Sequence, residues 1–92
     1  MTISLELKLN YLKRRENDLD ILFSSLNNNN VAEFNRIGHQ LAGNAASFGF
    51  DELEPIASQM ESLSETNLSE KGSELLSAYI KWLKINQIKF MN

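Results

Sequence analysis

Arg36-Ile37-Gly38-His39-Gln40-Leu41-Ala42-Gly43-Asn44-Ala45-Ala46-Ser47-Phe48-Gly49-Phe50 is the stretch around which the chain is organised, and it holds the only histidine. Taken as a helix that begins a little earlier, it places Val31, Phe34, Leu41, Ala45 and Phe48 on one stripe by three-and-four spacing. At roughly 100° per residue, His39 points about 130° away from the middle of that stripe. Its neighbours one turn away are Asn35, Arg36, Ala42 and Gly43, with Ala32 and Ala46 one turn further. Apart from Arg36, that face carries little bulk. The expectation is an imidazole set on a cleared, solvent-facing surface.

Outward from this helix the chain reads as helical throughout, since one proline and four glycines leave few breaks and no strand-like alternation occurs. A first helix is expected from about Ser4 to Leu26, with Leu5, Leu9, Leu12, Leu19, Phe23 and Leu26 on a heptad-like seam that Glu16 interrupts. Ile3, Leu7, Tyr11 and Leu22 widen its apolar face. Asn27 to Asn30 form a tight polar connection, with Asn30 and Glu33 in a capping-box-like arrangement at the start of the second helix. That helix is expected to end near Phe48, with Gly49 as its left-handed terminator.

Asp51 is then expected to cap a third helix, with Pro55 in its first turn and Leu53, Ile56, Met60 and Leu63 buried. After a loop at Ser64 to Ser69, Asn67 or Ser69 is expected to cap a fourth helix that turns Leu75, Leu76, Tyr79, Ile80, Leu83 and Ile88 inward. Trp82 lies off that stripe and is expected to pack against the first helix. Four amphipathic helices joined by short loops predict an all-α, antiparallel up-down-up-down four-helix bundle, in one domain spanning residues 1–92.

Composition excludes several function classes. The net charge of −3 offers no general attraction for nucleic acid, and Lys13-Arg14-Arg15 sits too close to Glu16, Asp18 and Asp20 to change that; it reads as a solvated helix face. No apolar run approaches the roughly 20 residues of a membrane span, and the N-terminus lacks the layout of a secretion signal. A cytoplasmic, monomeric protein is expected. With no cysteine and one histidine, thiol chemistry is excluded, and no carboxylate cluster suggests a metal site. Nor can a hydrolytic triad be assembled around His39, which therefore reads as an acceptor and not a complete active site.

His39-Gln40-Leu41-Ala42-Gly43, continuing through Gly49 to Leu53, resembles the signature of histidine phosphotransfer (HPt) domains, His-x-Leu-Lys-Gly with a glycine six residues later. Tyr11 to Arg15 with Leu19 and Leu22 is similar to the family's first bundle helix. Glu61, 22 residues after His39, falls where the family often carries Glu or Gln on the facing helix. The resemblance spans roughly residues 5–90.

It implies a phosphorelay carrier and not an enzyme in its own right. His39 would accept a phosphoryl group from a receiver-domain aspartate and pass it to another receiver, with a hybrid sensor kinase as a further candidate partner. The resemblance makes Gly43 the source of room for the phosphoryl group and Glu61 the residue that orients the imidazole. Gln40 and Ala46 would support docking. No cofactor is expected on this chain, because magnesium and the catalytic carboxylates would belong to the receiver. Ala42 stands where the family usually has lysine, and Arg36, one turn before His39, is the expected substitute for the missing charge. The competing reading is an adaptor that binds a receiver or sensor kinase without carrying phosphate. A histidine-kinase dimerisation pair fits less well, since Gln40 and Leu41 replace the acidic residue and proline such helices carry. A purely structural bundle would leave the bare face unexplained.

Overall fold

The computed structural model describes residues 3–91, and among them no strand occurs. Helix α1 runs Leu5–Asn27, α2 Val31–Asn44, α3 Glu54–Glu61 and α4 Ser73–Met91. Each helix packs on its neighbours in sequence and α1 also packs on α4, which closes the antiparallel four-helix bundle. Single 3-10 turns at Ala46–Phe48 and Asp51–Leu53 join α2 to α3, and a wide π-turn at Leu68–Gly72 leads into α4.

The starts and stops follow from local chemistry. Ser4 accepts a hydrogen bond from the Leu7 amide, and Asn30 accepts one from Ala32, so each cap satisfies an otherwise orphaned donor. Glu33 does not reach back to close the expected capping box. It pairs with Arg36 on its own helix. Between α1 and α2 the chain turns at Asn29, whose φ of 52° suits a residue that tolerates the left-handed region. The second helix stops at Asn44, four residues short of the expected end, and Gly49 supplies the expected left-handed backbone at φ 84°. Asp51 begins a 3-10 turn and not a capped helix, and α3 has no side-chain cap. Pro55 in its first turn has no N–H to satisfy, which lowers the need for one. Neither Asn67 nor Ser69 caps α4: the Asn67 side chain accepts from the Ser64 amide and so braces the loop.

The core corrects the expected register of α1. Its buried line runs through Tyr11, Leu12, Leu22 and Ser25, with Arg15, Asp18, Leu19 and Leu26 half-buried beside them. Leu5, Leu7 and Phe23 are exposed. Asn44, the last residue of α2, sits opposite Tyr11, so Leu5 and Leu7 lie beyond that helix's end. Two charges occupy the seam because each is paired. The Arg15 Nε donates to Asp18 at 2.8 Å, and the Tyr79 hydroxyl of α4 donates to the Arg15 carbonyl at 2.8 Å. Arg15 is thus not the solvated residue its neighbours suggested.

On α4, Leu75, Leu76, Tyr79 and Leu83 are buried as expected, but Ile88 is 66% exposed. Trp82 is buried against Phe50, edge to face at 5.5 Å between centroids, and its indole N–H donates to Glu52. It packs on the α2–α3 connection.

Candidate functional site

The site rests on a close approach of α2 and α3. A Cβ at Gly38 would lie 2.5 Å from the Glu61 amide nitrogen, 2.6 Å from the Ala57 carbonyl oxygen and 2.8 Å from the Met60 Cβ. Only a residue without a side chain lets the two backbones meet this way. One turn earlier on α2, the Asn35 side-chain Nδ2 lies 3.1, 3.0 and 3.1 Å from the backbone carbonyls of Met60, Glu61 and Leu63. Those carbonyls lie at and just beyond the C-terminal end of α3, where helix geometry leaves acceptors unsatisfied. Gly38 and Asn35 together seat the end of α3, and with it Glu61, beside the middle of α2.

His39 follows Gly38 and points outward, its side chain 77% exposed. Its Nδ1 lies 2.5 Å from the Glu61 Oε2, a charge-assisted contact across the helix pair. With Nδ1 engaged by a carboxylate, the neutral ring carries its proton there and leaves the Nε2 lone pair unshared. The structure thus brings together the two residues that the sequence spaced 22 apart.

Beside His39 an open groove of about 530 Å³ runs between α1 and α2, lined by Tyr11, Arg14, Arg15, His39, Gln40, Gly43, Asn44 and Phe48. Its floor is rigid. Tyr11 stacks on Phe48 at 4.5 Å, its hydroxyl donates to Asn44 at 2.8 Å, and the Arg15 guanidinium lies 4.6 Å over its ring. Burial raises the Tyr11 phenol above its ordinary 10.0, so it stays a neutral donor.

The remaining expected residues divide. Gln40 and Gly43 line the groove, and a Cβ at Gly43 would meet nothing within 4 Å, so nothing inside the chain requires glycine there. Ala46 is exposed in the turn after α2, whereas Ala42 is half-buried against the core. Arg36 is not part of the groove. Its guanidinium pairs with Glu33 at 2.6 Å, and the hydrogen bond holds the Glu33 carboxyl below the usual carboxylate range. Sequence reasoning missed Asn35, Gly38 and Arg14. Gly38 carried a signal, a glycine inside an apolar helical pattern, which marks a close approach. Among the described residues no three His, Cys, Asp or Glu side chains gather as a metal site.

A helical bundle that presents one exposed, carboxylate-oriented histidine beside an open groove defines a carrier or docking module more than a self-sufficient catalyst. The family model for the Hpt domain matches residues 6–87, and the chain belongs to that family. It is therefore a histidine phosphotransfer domain of the phosphorelay class, whose members work with receiver domains of two-component systems. Searches of curated proteins and of solved structures return no match. No described helix is long and apolar enough to cross a membrane.

Proposed function

We propose that this chain relays a phosphoryl group between two receiver domains, with His39 as the residue that carries it. The observation that supports this most is the His39–Glu61 contact, 2.5 Å across two helices on a side chain that is 77% exposed. An acceptor that must meet a folded partner has to be accessible yet held on a rigid element, and this one is both.

The chemistry balances without a catalytic group from this chain beyond the oriented ring. The Nε2 lone pair attacks the phosphorus of a receiver's aspartyl phosphate. The N–P bond forms as the P–O bond to the aspartate breaks, and the electron pair leaves on that carboxylate oxygen. The ring keeps its Nδ1 proton and becomes cationic, and the Glu61 carboxylate stabilises that charge. Onward transfer reverses these steps, with the carboxylate of a second receiver attacking the same phosphorus. Phosphoryl transfer depends chiefly on position and charge compensation, so an acceptor can be this spare. Magnesium and its carboxylate ligands belong to the receiver in this reading. Gly43 and Ala46 keep the approach low, and Gln40 meets the partner at the groove edge. The chain acts as a cytoplasmic monomer.

Incubation with a receiver domain radiolabelled on its aspartate tests the reading. Acid-labile label should appear on the wild-type chain and be absent from His39→Gln, which keeps its fold because the side chain is largely outside it. Binding of receivers without transfer of label would overturn the relay and favour a phosphate-free adaptor, with Ala42 as the reason.

A further inference from the structure

A phosphoryl group on His39 would place two negative charges beside one positive charge on the ring, on a chain that already carries a net charge of −3. No other side chain on α2 offsets them. Ala42 is apolar, and Arg36 is committed to Glu33 at 2.6 Å and stands outside the groove. The offsetting charge has to come from another helix, and among the described residues only α1 borders the groove with cations.

Two arginines of α1 line it, and they are in different states. Arg15 is only 12% exposed, with its Nε spent on Asp18 and its guanidinium lying over Tyr11. Moving it would strand Asp18 in the helix seam. Arg14, next to it, is exposed on the groove wall with no ion-pair or hydrogen-bond partner among the described residues. Lys13 faces away, in the groove between α1 and α4. We propose that Arg14 is the phosphoryl-binding residue of this domain, closing from α1 onto the phosphate carried by His39 in the place of a lysine on α2.

The planar guanidinium presents two parallel N–H groups that match two phosphoryl oxygens, which an ammonium cannot do. The Tyr11–Asn44 hydrogen bond ties α1 to the end of α2, and the Tyr11–Phe48 stack ties α1 to the turn that follows, so the cation and the imidazole stand on joined walls of one groove. No covalent step is added. The assignment rests on His39 being phosphorylated, and it concerns only what the phosphate then meets.

The test needs no receiver. Phosphoramidate phosphorylates an accessible histidine directly: Nε2 attacks phosphorus, the N–P bond of the reagent breaks, and ammonia leaves. The phosphorus resonance of the product is then followed against pH for wild type, Arg14→Ala, Arg14→Lys and Arg36→Ala. A cation beside the phosphate favours its dianion. Arg14→Ala should therefore raise the phosphoryl titration midpoint by about half a unit at low ionic strength, a roughly threefold change. Arg14→Lys should restore part of it, returning the charge without the bidentate fork, and 1 M salt, where the screening length is about 3 Å, should shrink the difference. Arg36→Ala should titrate with the wild type. Coincident curves for Arg14→Ala and wild type would overturn the assignment, as would a shift in Arg36→Ala alone. If neither phosphoramidate nor a receiver phosphorylates the wild type, the relay reading fails and the assignment falls with it.

Discussion

Replacing Gly38 with alanine should act on the fold and on His39 together. The new Cβ would sit 2.5 Å from the Glu61 nitrogen, about 0.9 Å inside the 3.4 Å at which ordinary contact begins, and 2.6 Å from the Ala57 oxygen. Both are backbone atoms, so no side chain can swing aside and α3 must back away. Alanine is favoured over glycine inside a helix by about 1 kcal/mol, which works against the expected loss. Overpacking a tight interface costs about 1–3 kcal/mol, and a clash with two backbone atoms belongs at the upper end. The net expectation is a loss of about 2 kcal/mol, or a fall in Tm of about 8–16 °C for a domain of this size. Retreat of α3 also draws Glu61 away from the imidazole. Thermal unfolding followed by circular dichroism, with nitrogen-15 spectra of His39, reads both effects. Nδ1 should lose its fixed proton, and the ring should become a mixture of tautomers. A Tm within about 2 °C of wild type, or an unchanged tautomer, would refute the claim that this glycine sets the helix spacing at the site.

At Gly43, five residues further on the same helix, the sign reverses. Gly43→Ala meets nothing within 4 Å and should raise stability by up to about 1 kcal/mol in urea unfolding, while slowing phosphotransfer from a receiver if the partner packs there. Asn35→Ala removes the donor from the end of α3 and should lower Tm by about 4–8 °C, an effect of about 1 kcal/mol, with the same loosening of the His39 tautomer in nitrogen-15 spectra. Burial, with Asp18 beside it, pushes the Tyr79 phenol far above 10.0. The folded chain therefore keeps a proton that the unfolded chain sheds, so this contribution is fully present below pH 10 and falls above it by up to about 1.4 kcal/mol per pH unit. Tyr79→Phe should flatten that alkaline decline in urea unfolding, at a cost of about 1 kcal/mol at neutral pH for the lost hydrogen bonds.

The helices were legible because their apolar spacing and breakers agree, and the motif from His39 to Gly49 placed the site on the second of them. The register of α1 was not. Its seam includes Arg15, Asp18 and Ser25, residues that a count of apolar positions passes over; Arg15 pairs with Asp18, the Arg15 carbonyl accepts from Tyr79, and the Ser25 hydroxyl donates to the Ile21 carbonyl. Leu5, Leu7 and Phe23 fit an apolar face equally well on paper, but they lie where no helix covers them. The pairing of His39 with Glu61 followed from a family spacing, whereas the means of achieving it, Gly38 and Asn35, depends on how α3 docks. Arg36 drew attention as the nearest cation in sequence. Its exposed i,i+3 partner Glu33 was equally near. Arg14 came into view only once α1 was placed beside α2.

In the proposed relay, His39 takes the phosphoryl group on Nε2 while Glu61 holds the proton on Nδ1. Phosphorus–nitrogen correlation on the nitrogen-15 labelled chain, after transfer from a phosphorylated receiver, tests it most directly. One phosphorus should couple to Nε2 of His39, with Nδ1 protonated. Coupling to Nδ1, or phosphate on any other residue, would contradict it.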